Sequence, residues 1–162
     1  MHEPLHYSDD EIRGVLRDVR VIAMVGASPK WNRPSHFAMK YLQQKGFRVI
    51  PVNPANAGEV VLGEKVFARL ADVPVQVDMV DVFRNAEAAG PITDEAIAMG
   101  ARVVWMQLGV VNEAAAERAR RAGLRVVMDR CPKIEYGRLF GELGWCGVNT
   151  GVITSKRLRS GR

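Results

Sequence analysis

The chain has 162 residues, 48% of them hydrophobic and 25% charged, with 3 His and 2 Cys. A domain of this length buries roughly 68–70% of its unfolded surface, so its core needs neither a metal nor a disulfide framework, and no apolar run approaches the roughly 20 residues that span a bilayer. The formal charge of +5 is concentrated at the end, where Lys156, Arg157, Arg159 and Arg162 stand in a stretch without acids; without those four it falls to +1. The expected organisation is therefore a nearly neutral domain over 1–149 and a basic, disordered tail over 150–162. Nucleic acid and membrane partners are not expected. The first residues carry no basic-then-apolar signal pattern, so a cytoplasmic location is expected.

Ser8 and Glu11 form a capping box, and Ile12, Val15, Leu16 and Val19 recur behind it at helical spacing. A continuous apolar run, Val21–Val25, then reads as a buried parallel strand that opens at Gly26 into a tight turn. The next helix is expected from about Ser35, with Phe37, Ala38, Tyr41 and Leu42 on its inner face and Gly46 just past its end. The second strand is Arg48–Val52, in which Pro51 is tolerable close to a strand end. Residues 55–76 read as an irregular connection with one short helical piece at 67–71. A third strand over 78–83 precedes a helix opened near Pro91 or Thr93 and stopped by Gly100. The fourth strand, 102–106, leads to a helix capped by Asn112 and ended by Gly123, and the fifth, 124–128, to a last helix over 134–143.

Five strands alternating with helices imply an α/β fold: a doubly wound, mainly parallel five-stranded sheet with helices on both faces. Right-handed crossovers place every strand's C-terminal end on one edge, where such sheets bind ligands. That edge collects 26–35, Asn53-Pro54, Phe83-Arg84-Asn85, 107–112 and 129–131. The turn after Gly26 lacks the further glycines of the G-x-G-x-x-G fingerprint. In their place stand Ser28, Lys30, Arg33 and Ser35, a set suited to phosphates at a helix N-terminus. NAD would also require an acid at the end of the second strand for its ribose hydroxyls. Asn53-Pro54 offers none. Missing acid and added cations suit a nucleotide with a phosphorylated ribose, and both NADP and coenzyme A qualify.

Val25-Gly26-Ala27-Ser28, Ile50-Pro51-Val52-Asn53-Pro54, the stretch from Val77 to Arg84, Trp105-Met106-Gln107-Leu108-Gly109 and Met128-Asp129-Arg130-Cys131-Pro132 occur in this order. This set resembles the small stand-alone CoA-binding proteins, whose Rossmann-like domain is similar to the N-terminal CoA-binding domain of the succinyl-CoA synthetase α subunit. The resemblance covers roughly residues 8–140. It implies that Gly26, Ala27, Ser28 and the basic loop hold the CoA phosphates, with Asn53 and Pro54 beside the nucleotide end. Phe83, Arg84 and Asn85 would line the site, and Gln107, Gly109 and Asn112 would face the pantetheine path. Lys30, Arg33 and Ser35 join the set on chemical grounds.

No catalytic constellation accompanies these residues. His2, His6 and His36 do not cluster, and no G-x-S-x-G, H-E-x-x-H or P-loop appears. Asp78 and Asp81 cannot share one face of a strand. Cys131, on the binding edge, reads as a small buried residue whose thiolate could exchange with the CoA thiol under oxidation. The leading expectation is non-catalytic binding of CoA or acyl-CoA, as a sensor or carrier module; a protein partner and the oligomeric state stay open. The alternatives are an NADP- or other nucleotide-dependent enzyme and a ligand-switched regulatory adaptor.

Overall fold

The computed structural model describes residues 5–141 and two short strands at 148–149 and 152–153. The elements in order are α1 (Asp9–Asp18), β1 (Val21–Val25), α2 (Pro34–Gln44), β2 (Arg48–Val52), β3 (Val60–Val61), β4 (Glu64–Lys65), β5 (Met79–Val82), α3 (Ala86–Ala98), β6 (Val103–Met106), α4 (Glu113–Arg121), β7 (Arg125–Val127), α5 (Pro132–Leu139), β8 (Val148–Asn149) and β9 (Val152–Ile153). The main sheet runs β2-β1-β5-β6-β7 with every pair parallel. This is the doubly wound, Rossmann-like architecture, with the chain reversing direction across the sheet at β1. The connection over 55–76 is more ordered than its composition suggests: β3 and β4 form a hairpin, flanked by 3-10 turns at Pro54–Asn56 and Leu70–Asp72. Strands β8 and β9 pair antiparallel. The rest of the basic tail over 150–162 lies outside the described residues.

Alternation along each strand divides the core in two. Ile22, Met24, Val49, Met79, Val103, Trp105 and Val127 face α1, α2 and α5, meeting Ile12, Leu16, Met39, Leu42 and Leu139. The other face presents Ala23, Val25, Ile50, Val80, Val82, Val104 and Met106 to α3 and α4. There the helices contribute Ala89, Ala96, Ala115, Ala116 and Ala119, side chains small enough to bring them close to the sheet. The capping box closes as expected: Ser8 N–H donates to Glu11 Oε1 (2.9 Å) and Glu11 N–H donates to Ser8 Oγ (3.0 Å). Pro51 belongs to the edge strand β2. Its carbonyl accepts from Phe67 N–H on the outer side (3.0 Å), so its missing N–H costs no bond to β1.

Three helices differ from their sequence reading. In α2 the buried stripe is Ser35, Ala38, Met39 and Leu42, a clean i, i+3, i+4, i+7 set, and Phe37 is turned outward. Helix α3 starts at Ala86 because Asn85 Oδ1 accepts from Ala88 N–H (2.8 Å). That side-chain cap decides the boundary, and Pro91 is carried inside the helix. Helix α5 begins at Pro132, where proline at the first position forfeits only a donor that has no partner.

The two aspartates of the third strand region have opposite environments. Asp78 precedes β5; its carboxylate accepts from Arg20 N–H (2.9 Å) and Val21 N–H (3.0 Å), and pairs with Arg102 (3.2 Å). Burial opposes its charge, but those amides and the guanidinium hold its pKa below the ordinary value. Asp81 lies fully buried between its register neighbours Met24 and Trp105, and neither carboxyl oxygen has a hydrogen-bond partner. Burial alone pushes its pKa well up, favouring the neutral carboxyl.

The two groups therefore load the pH profile in opposite senses. The folded Asp78 pKa is depressed, so its contribution is full above the unfolded value of about 3.9 and is lost as pH falls through the folded pKa. The folded Asp81 pKa is raised, so above about 3.9 the unfolded state releases a proton that the folded state retains, and stability declines as pH rises. Asp78→Asn is expected to cost about 1–2 kcal/mol at neutral pH, the deficit shrinking below pH ~4. Asp81→Asn is expected to flatten the decline above pH ~4. Urea midpoints of both variants from pH 3 to 8 check this.

Candidate functional site

Strand β1 is apolar to its end and must then turn sharply while staying against the sheet. Gly26 does this at φ +94°, its N–H donating to the Val52 carbonyl of β2 (2.8 Å). A Cβ at this position would lie 2.4 Å from the Phe83 carbonyl oxygen and 2.9 Å from Arg84 Cδ. Left-handed backbone and a closed space together admit only glycine. The turn after β1 is thereby pressed onto the end of β5, with Arg84 at its side.

Beyond Gly26 the loop is closed by its own hydroxyls. Ser28 N–H donates to the buried Ser35 Oγ (2.9 Å), and Ser28 Oγ accepts from Lys30 N–H (3.1 Å). Lys30 and Arg33 are exposed. Arg33 is the N-cap of α2; no side chain caps that end and its first turn holds no acid. The positive end of α2 thus stays uncompensated, with two cations beside it, which is the arrangement that attracts an anion.

Several of the expected site residues prove to hold the edge together. Asn53 Nδ2 donates to the Ala27 carbonyl (2.8 Å) while its Oδ1 accepts from Ala55 N–H (3.0 Å). Asn85 caps α3. Asn112 caps α4 by accepting from Ala115 N–H (3.0 Å), and its Nδ2 donates to the Ala86 carbonyl (2.8 Å). Gly109, at φ +80°, donates its N–H to Asp129 Oδ1 (2.7 Å). The bonds from Asn53 to Ala27, from Asn112 to Ala86 and from Gly109 to Asp129 tie separate segments of the edge together, and the others cap helical turns locally. Lys30, Arg33, Pro54, Arg84, Asn85 and Gly109 are the exposed members of the set.

Two cavities meet at Arg84. The larger, about 410 Å³, is lined by Pro34, Phe83, Arg84, Gln107, Leu108 and Val110. The smaller, about 170 Å³, lies among Val52, Pro54, Arg69, Leu70, Arg84 and Glu95. Gln107 is buried and its Oε1 accepts no hydrogen bond. The linings add Pro34, Leu108 and Val110, and also Arg69 and Glu95, to the residues legible from the sequence. Pro34, Leu108 and Val110 stood in segments already assigned to the edge. Arg69 comes from the connection over 55–76, which carried no motif, and Glu95 from the interior of α3.

A roomier cavity, about 500 Å³, lies elsewhere, between α1 and β7. Its wall includes Asp10 and Glu11, in the acidic and already capped first turn of α1. Arg120 and Arg125 share that wall, Arg125 paired with Asp18, but the acidic, capped end of α1 does not offer an anion the free positive end that α2 does. Cys131 is buried as the N-cap of α5. Among the described residues no group of three or more His, Cys, Asp or Glu could hold a metal, and no helix is long and apolar enough to cross a membrane.

A doubly wound sheet with a glycine-restricted turn, a cationic helix N-terminus and cavities at its strand ends is a Rossmann-like α/β domain with its candidate site at the edge where such sheets bind ligands. The chain belongs to the CoA binding domain family, whose model matches residues 20–137. That span contains every candidate site residue. An uncharacterized protein of Bacillus subtilis (strain 168), YneT, is 36% identical over 129 residues, covering 80% of this chain and 94% of the relative. A hypothetical protein from Pyrococcus horikoshii OT3 superposes with a TM-score of 0.80 at 39% identity, covering 87% of this chain and 100% of that one. A protein from Thermus thermophilus gives 0.79 at 38% identity, covering 83% and 100%.

The close approach at Gly26 makes a direct prediction. Gly26→Ala is expected to lose at least about 2 kcal/mol through backbone strain and the clash with Phe83. Asn53→Ala, which breaks two bonds without a clash, is expected to lose about 1–3 kcal/mol. Chemical denaturation of the two variants measures both, and a loss below about 0.5 kcal/mol for Gly26→Ala would remove the turn from its structural role.

Proposed function

We propose that the protein binds coenzyme A or an acyl-CoA, without catalysis, across the C-terminal edge of the sheet, as a module that senses the ligand or presents it to another protein. The observation that carries this is the position of Arg84: it abuts the Gly26 turn and stands between the two edge cavities. In a chain of the CoA binding domain family, a cation at that junction suits the phosphates linking the two halves of a long ligand.

Roles follow from what each group has free. The backbone of Gly26, Ala27 and Ser28, with the α2 N-terminus and Lys30 and Arg33, receives phosphate. Pro54 and the smaller cavity take the nucleotide end, with Asn53 acting by holding Ala27 in place. Phe83 and Gln107 line the larger cavity, on the path of the pantetheine arm. Ser35, Asn85, Gly109 and Asn112 act by fixing the loops that the ligand crosses. Absence of a carboxylate after β2, where Asn53-Pro54 stands, disfavours an unmodified ribose.

Calorimetric titration with CoA, acetyl-CoA, NAD and NADP tests the reading. CoA or acetyl-CoA is expected to bind at least about tenfold more tightly than either dinucleotide, with affinity falling as ionic strength rises. Arg84→Ala is expected to weaken CoA binding about tenfold or more, the loss of one charge-assisted contact. Preferential binding of NADP would replace this reading with a nucleotide-dependent enzyme.

A further inference from the structure

We infer that the larger edge cavity is an acyl pocket, so that the ligand carried is an acyl-CoA with an apolar acyl chain in preference to free CoA. This rests on the CoA reading above and adds the class of acyl group. The two cavities that share Arg84 differ in chemistry. The smaller has Arg69 and Glu95 in its wall, whereas the larger has, besides Arg84, only Gln107 as a polar member. Its other walls are Pro34, Phe83, Leu108 and Val110. A volume of about 410 Å³ is that of a ligand site, within the ordinary range of roughly 300–1,000 Å³.

Leu108 is the most telling member. It is 54% exposed, yet its loop is fixed: Val110 N–H donates to the Gln107 carbonyl (2.8 Å), and Gly109 N–H is held by Asp129 (2.7 Å). A leucine is therefore held outward at the cavity by a built turn. Phe37, 50% exposed, stands three residues after Pro34 on α2, outside the cavity wall itself. Neither side chain is explained by the core, since both leave it. A phosphate or a thiol gains little from such walls, whereas a hydrocarbon chain gains with each methylene it buries.

Gln107 completes the chemistry. Its side chain is buried in the lining and its Oε1 is without a partner. A primary amide both donates and accepts, matching the amide groups of a pantetheine arm and the carbonyl of a thioester at the point where the polar part of the ligand ends.

The test is a titration series on the intact protein with CoA, acetyl-CoA, butyryl-CoA, hexanoyl-CoA and octanoyl-CoA. Affinity is expected to rise by up to about fourfold per added methylene until the cavity is filled, then level off. Leu108→Asp, a change at an exposed position, is expected to flatten that rise. Equal affinity for CoA and all acyl-CoAs, or a rise that survives Leu108→Asp undiminished, would overturn the acyl pocket while leaving CoA binding in place. Failure of CoA and every acyl-CoA to bind would overturn the underlying reading, and this inference with it.

Discussion

The site depends on one close approach: the backbone of Gly26 against the carbonyl of Phe83, where a Cβ would come within 2.4 Å. This contact lets the turn after β1 fold down onto the end of β5 instead of arching over it. Pro34, in the first turn of α2, and Arg84 thereby line one cavity at the edge, with Lys30 and Arg33 exposed on the loop that leads into the helix. A larger residue at Gly26 would lift the loop and separate those charges, even if every strand survived. The glycine is required by space as well as by its φ of +94°.

Around that contact the edge is maintained by polar side chains that serve the backbone. Asn53, Asn85 and Asn112 each cap a helical turn, and Asn53 and Asn112 also reach across to a neighbouring segment. Loops of this kind are preorganised: their order is established before a ligand arrives, so binding need not supply it. Electrostatics then separates the N-termini of α1 and α2. Helix α1 opens with Asp9, Asp10 and Glu11 and closes its own cap, whereas α2 opens with Arg33 and no acid. The more voluminous cavity lies beside the acidic end.

The fold was legible because its signals were local and mutually consistent. Apolar runs marked the strands, the first two closed by Gly26 and Asn53, and alternation with helices fixed the class. Boundaries were lost where two local signals competed. At α3 the cap of Asn85 outranked the helix-opening preference of Pro91; in α2 the register set by Pro34 and Ser35 sent Met39 inward and Phe37 out. The site was legible in its membership at the strand ends but not in its division of labour. Sequence order could not show that the asparagines hold loops, because that depends on which carbonyl lies across from each. Nor could it assemble Pro34, Leu108 and Val110 into one wall, since they come from two segments joined only by the sheet. Asp81 was legible as a strand residue, but its isolation is a property of the neighbouring strands.

The central claim is that the C-terminal edge around Gly26 and Arg84 is the CoA site. Amide chemical-shift mapping of the whole protein during a CoA titration tests it most directly, since it reports position and affinity together. Saturable shifts concentrated at 26–35, 83–85 and 107–110, with the α1–β7 groove unaffected, are expected. Shifts confined to that groove, or none at saturating CoA, would contradict it.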